Sequence, residues 1–232
     1  MDRAFWLSIK KNEFTIPTGY AVLPLTEELF SFLGSPDPEL RDGIGFYAFN
    51  AWLGKELYSP DDKRGLIPRL IANWQKGLGE TESDSVFLRS FSSLWLGLIV
   101  EYDNARPTLK SEDIAPILEA LLAYFPAERD LRGFDPVKGW AHAIAHAADL
   151  FAALACSLHT GVDDHLKFLD AIATRLKTST GWVYLYGEDS RLAVAALETL
   201  ARGTLTIDQV KAWLASLSAD WNNSWWDESR AR

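Results

Sequence analysis

GWAHAIAHAADLFAALA, Gly139 to Ala155, places two histidines and an aspartate in an otherwise small and apolar run. On a helix of 3.6 residues per turn, Trp140, Ile144, Ala147, Phe151, Leu154 and Leu158 form one broad apolar face. His142, His146 and Asp149 then lie at i, i+4 and i+7 on the opposite side, flanked by Ala145, Ala152, Ala153 and Cys156. A solvated helix face carries Lys, Glu, Arg or Gln, and none occurs from Trp140 to Leu158. Both faces of this helix are therefore expected to be covered. Its polar groups need partners from elsewhere, because an unsatisfied buried one costs roughly 1–3 kcal/mol.

The segments that can deliver such partners are charged connectors, ERDLRG at Glu128–Gly133 and GEDSRL at Gly187–Leu192. Arg41, Asp42 and Arg89 occupy comparable places on earlier helices. Three readings of the stripe follow. In the first, the imidazoles donate to carboxylates and carbonyls, Asp149 pairs with an arginine, and the cluster is architectural. In the second, His142, His146 and Asp149 hold a divalent metal, since two neutral imidazoles and a carboxylate suit Zn, Mn or Fe. The pattern is HxxxHxxD, however, and Ala143 stands where a HExxH metalloprotease carries its general base. In the third, a histidine oriented by Asp149 or Glu188 acts as acid or base without metal, or the groups line a polar ligand pocket.

Around this stretch the helix signals are dense and paired. Long helices are expected to start near residues 38, 84, 136 and 188, and shorter ones near 60, 111, 163 and 206. Thr26 is expected to cap TEELFSFLG, Ser59-Pro60 to open a helix that Gly65 and Pro68 bend or interrupt, and Thr206 with Gln209 to form a capping box. No segment alternates as a strand does, and WVYLY at Trp182–Tyr186 reads as an extended connector. The expected fold is all-α, an α-solenoid or HEAT- or armadillo-like superhelix of about four helix pairs. The alternative is an irregular helical bundle. Residues 1–25 read as an irregular segment, 26–219 as one helical domain, and 220–232 as a Trp-rich tail that caps the last pair or forms an aromatic patch for a partner.

Composition excludes several classes. Among 232 residues the net charge is −9, which counts against nucleic acid as a main partner, because phosphate binding needs a Lys/Arg footprint. The single cysteine, Cys156, rules out an intrachain disulfide and reads as a small core residue. His159 and His165 flank the turn HTGVDDH and are expected at the surface. Ten tryptophans favour deep helix–helix packing or aromatic-lined grooves. No GxxxxGK[ST], GxGxxG, GxSxG or CxxC occurs. The start, MDRAFWLSIKKNEF, lacks a basic-then-apolar leader, and the longest apolar run, SSLWLGLIV, falls short of the ~20 residues of a membrane helix. A cytoplasmic protein is expected, with no membrane partner.

ERDLRGFDPVKGWAHAIAHAADL, with ELRD, FLRSFSSL and GEDSRLA, resembles a bacterial family known as domain of unknown function 2785, over roughly Leu33 to Leu217. The resemblance implies an all-helical protein and carries no catalytic assignment. Its motif falls on Arg41, Asp42, Arg89, Ser90, Asp130, Arg132, Gly133, Gly139, Trp140, His142, His146, Asp149, Glu188, Asp189 and Arg191. The expected role is binding of a protein or small-molecule ligand on an inner surface lined by Arg41, Asp42, Arg89, Arg132, Trp140, His142, His146, Asp149, Glu188, Asp189 and Arg191. The alternative is a hydrolase, metal-dependent or not, using His142, His146 and Asp149 with Glu188 or Asp189. No cofactor is required by the sequence. A helical-repeat nucleic-acid enzyme is a weaker rival that the acidic balance opposes.

Overall fold

A computed structural model of the chain describes residues 1–178 and 180–218. Apart from one short β-bridge, the regular structure there is helical: α1 Arg3–Lys11, α2 Val22–Phe32, α3 Tyr47–Gly54, α4 Pro60–Asn73, α5 Ser85–Ala105, α6 Ser111–Ala127, α7 Ala143–Ala155, α8 Val162–Lys177, α9 Glu188–Ala201 and α10 Ile207–Ser218. A π-helical segment, Glu39–Phe46, runs directly into α3. The alternation of first and second helices follows the expected starts except for the one expected near 136, which begins at Ala143. The first helices touch one another in sequence order: the π-segment and α3 lie on α5, α5 on α7, and α7 on α9. The second helices do likewise, α4 on α6, α6 on α8, and α8 on α10.

The core lies between and within these rows. Trp6, Trp52, Trp74 and Trp95 are fully buried. Trp95 stacks on Phe49 at 3.9 Å, and Trp74 on Tyr124 at 4.9 Å with its Nε1–H donating to Ser93 Oγ at 2.9 Å. Flat rings fill the space within and between the helix rows with large area and few torsions, while the Trp95 Nε1–H has no acceptor among the described residues. Among the described residues no helix is long and apolar enough to cross a membrane.

Several local expectations are corrected. The first 25 residues are not irregular: Asp2 caps α1 by accepting from the Phe5 N–H at 2.8 Å, and Trp6 and Ile9 bury its inner face. Helix α2 begins at Val22, with Pro24 in its first turn, so Thr26 lies inside it and donates to Val22 O at 2.8 Å instead of capping. Ser59 and Asp62 form a capping box on α4, which then runs unbroken past Gly65 and Pro68. Thr206 and Gln209 make the expected box on α10. The tail at 220–232 lies outside the described residues.

The largest correction concerns the opening stretch. No helix starts at 136. The Asp135 carboxylate accepts from the Val137 and Lys138 N–H groups at 2.9 and 2.8 Å, which makes Asp-Pro a turn. Phe134 then pairs with Trp140, and Asp135 with Gly139, as a two-residue antiparallel bridge. Gly139 has φ +75°, and a side chain there would meet Pro38 at 2.9 Å.

Candidate functional site

Helix α7 is an inner helix of the first row. It packs on α5 on one side and α9 on the other, and its residues from Ala143 to Ala155 are buried except Asp149, Ala152 and Ala153. Its apolar face is covered as expected, whereas the opposite face is covered at Ala145 and His146 and half open at Asp149, Ala152 and Ala153, against the expectation that both would be closed.

His142 is not on the helix but is its N-cap, in the left-handed region at φ 50° and ψ 32°. Its N–H donates to the Arg132 and Gly133 carbonyls, and its own carbonyl accepts from the His146 N–H at 2.9 Å. The ring lies under Trp140, with centroids 4.3 Å apart and planes at 26°. Phe134 and Tyr186 pack around that indole at 4.7 and 6.0 Å. His142 is 6% exposed and Glu188 1%. His142 Nε2 and Glu188 Oε1 face each other at 3.8 Å, and neither atom has a hydrogen-bond partner. The other Glu188 oxygen accepts from the Tyr186 N–H at 3.0 Å. Gly133 closes this cluster from the third side, because a Cβ there would sit 2.2 Å from Glu188 Oε1. Burial pushes the His142 imidazole below its ordinary value, Glu188 pulls it back, and Arg191 adds to the depression.

His146, also 6% exposed, is tied to α5. Its Nδ1 lies 2.8 Å from Ser90 Oγ, and the Ser90 hydroxyl donates its one proton to Ala141 O. Ser90 can therefore only accept from the ring, which puts the His146 proton on Nδ1 and leaves Nε2 with a lone pair. Burial holds this imidazole well below the usual range, reinforced by His142, Arg191 and Arg41. His142 and His146 meet edge to face at 5.7 Å.

Asp149 and Arg191 form an ion pair, and unlike the histidines both are partly open to solvent. Burial raises the Asp149 carboxyl while Arg191 opposes the rise.

The remaining arginines are interior clamps. Arg89 is fully buried. Its Nε and Nη2 donate to the two oxygens of Glu128 at 2.6 and 2.9 Å, and Nη1 donates to Lys76 O, Gly77 O and Ser85 Oγ. Glu128 accepts in addition from Tyr124 Oη and from the Arg129 and Asp130 N–H groups. Arg41, in the π-segment, donates to the Ser35, Lys138 and Trp140 carbonyls and lies over the Phe87 ring at 3.9 Å. Burial brings it down to about 10. Arg132 pairs with Asp130 and reaches Ser83 O.

Thus the connector at 128–133 supplies Glu128 to Arg89, and that at 187–192 supplies Glu188 to His142 and Arg191 to Asp149. Asp189 is exposed and, among the described residues, accepts only from the Ser190 N–H, and Asp42 is half-buried, interacting with Arg41 and Lys10. Among the described residues no group of three or more His, Cys, Asp or Glu side chains is arranged to hold a metal ion. Two smaller expectations change. His165 is buried between Thr204 and Thr160 and is not at the surface. Cys156 is half-buried, with its thiol 3.5 Å from Glu198 Oε2.

Cys156 is half-open because it lines a feature that no motif announces. A trough of about 680 Å³ runs along α7, floored by Ala152, Ala153 and Cys156. One wall is α5, through Leu94, Leu98 and Glu101, and the other is α9, through Val194 and Glu198. The Asp149–Arg191 pair stands at the end nearer the histidines. The trough exists because, beyond Asp149, α7 and its C-cap present only Ala152, Ala153 and Cys156 between two walls of larger side chains.

Fold and site together define a helical protein with a sealed imidazole–carboxylate cluster beside an open trough. The sequence profile described as "Protein of unknown function (DUF2785)" matches residues 75–231, and the chain belongs to that family. The matched span takes in α5 to α10 and leaves Arg41 and Asp42 outside it. Comparison with curated proteins and with solved structures returns no match.

Proposed function

We propose that this protein is an α-solenoid-like binding module that holds a ligand or protein partner on the face of its first-row helices. The contact of first helix with first helix and second with second supports the solenoid reading. The observation that carries the binding reading is the trough across α5, α7 and α9, with a partly exposed ion pair at its head. A hydrolase would need an imidazole that meets its substrate. Both imidazoles are more than nine-tenths buried, one under Trp140 and the other bonded to Ser90, so binding is the better supported of the two roles.

The test is a fragment screen by ligand-observed NMR on the chain and on Ala153→Trp. The half-buried position 153 lets an indole fill the trough while leaving the core intact. Fragments that bind the parent and are lost from the variant are the expected result. A fragment set that binds both proteins equally would place the ligand elsewhere and overturn the proposal.

A further inference from the structure

The charges around the trough are unbalanced. Its lining carries three carboxylates, Glu101, Asp149 and Glu198, and one cation, Arg191. Arg191 is already committed to Asp149. Glu101 stands exposed on the α5 wall, where its one electrostatic interaction among the described residues is with the Asp149 carboxylate of like sign. Glu198 stands exposed on the α9 wall, accepting from the neutral thiol of Cys156, which also feels the Arg202 guanidinium one turn further on, and it makes no ion pair among the described residues. Two carboxylates, neither in an ion pair among the described residues, thus stand on opposite walls of an apolar floor of alanines, with Leu94, Leu98 and Val194 beside them.

The floor runs from Asp149 to Cys156, about 10 Å of helix at 1.5 Å per residue. Two turns of a partner helix fit that length. Its apolar stripe would lie on Ala152 and Ala153, where the lack of side-chain bulk lets another backbone approach closely. Flanking ammonium or guanidinium groups would reach Glu101 on one side and Glu198 on the other. A partner with acidic flanks would set like charges together across a desolvated groove, which costs affinity and excludes it.

We infer that the occupant of this trough is a cationic amphipathic helical segment of a protein partner, an apolar stripe flanked by Lys or Arg. The inference rests on the binding role proposed above and specifies its partner. The seating is helix-in-groove recognition, in which i, i+3, i+4 and i+7 apolar anchors set the register.

The probes are an amphipathic helical peptide of leucine and lysine and its counterpart with glutamate at every lysine position. Their affinities for the full chain are measured by fluorescence anisotropy at low and at physiological salt. The lysine peptide is expected to bind at least ten-fold tighter than the glutamate peptide, and to weaken as salt screens the contacts. The double variant Glu101→Lys/Glu198→Lys is expected to remove that preference or reverse it. Glu112→Lys/Asp163→Lys, which reverses two exposed charges on α6 and α8, keeps it. Equal loss in both double variants would mean general attraction to an acidic chain and would overturn the inference. So would a lysine peptide that binds no better than the glutamate one. In that case fragments still displaced by Ala153→Trp would leave the trough a binding site with a different partner, whereas failure of both experiments would remove the binding role itself.

Discussion

Arg89→Ala is expected to lower the stability of the chain by about 3–5 kcal/mol, the range for breaking a buried ion pair from one side. For a chain of this size that corresponds to a fall in Tm of roughly 6–20 °C. The reason is the number of groups left behind. Glu128 is fully buried and would be left with the Tyr124 hydroxyl and two backbone N–H groups as its donors and the Arg175 guanidinium as the remaining cation nearby. The Lys76 and Gly77 carbonyls and the Ser85 hydroxyl would lose their shared donor. Arg89→Lys should recover only part of the loss, because one ammonium cannot meet both Glu128 oxygens and reach the carbonyls as a planar guanidinium does. Denaturant and thermal unfolding of the three proteins check this. A loss below about 1 kcal/mol for the alanine variant would show that the clamp is not made in solution.

Arg41→Ala is expected to cost about 3 kcal/mol or more, since it strands three carbonyls at once and each buried orphan costs roughly 1–3 kcal/mol. Its specific signature is local. Arg41 reaches from the π-segment to the carbonyls of Lys138 and Trp140, and so holds the β-bridge loop that carries the indole over His142. Hydrogen exchange should accelerate at the Ala141 and His142 amides, which bond to the Gly133 carbonyl, beyond what the global loss of stability explains. Asp42→Asn, one residue away and without a hydrogen-bond partner in the cluster, should leave those amides unchanged. Equal protection in all three proteins would remove the link between the π-segment and the site.

The helix order was legible because the relevant physics is local. Ser59 with Pro60, Thr206 with Gln209, and the 3.6-residue periodicity mark helices wherever the rest of the chain lies. The missing long polar side chains between Trp140 and Leu158 announced a helix packed between two others, but not that the stripe of Asp149, Ala152 and Ala153 stays half open. The charged connectors were legible as sources of partners for the same reason, since buried charge demands compensation. Asp135-Pro136 misled, because aspartate before proline opens a turn as readily as a helix, and the choice was made by the Asp135 carboxylate bonding two residues on. That choice pulled His142 off the helix and into the left-handed N-cap. Helix α1 was missed because nine residues give little more than two turns of periodicity. The trough could not be read at all, because it is defined by what α7 lacks between walls supplied from residues 94–101 and 194–198.

The proposed binding role lies beside the histidines and not at them, and the ring nitrogens test this directly. Because His142 and His146 are held below the ordinary value, the unfolded chain takes up protons first as the pH falls under about 6.5. Stability should therefore decline from that point downward, by up to ~1.4 kcal/mol per pH unit for each ring. The decisive measurement is ¹H–¹⁵N correlation of the imidazole nitrogens in histidine-labelled protein across roughly pH 5–8. The predicted result is a His146 that carries its proton on Nδ1, keeps Nε2 bare, and stays neutral while the protein remains folded. A His146 protonated on Nε2, or one that takes up a second proton near 6.5 in the folded protein, would contradict the sealed cluster and return the histidines to candidacy as reacting groups.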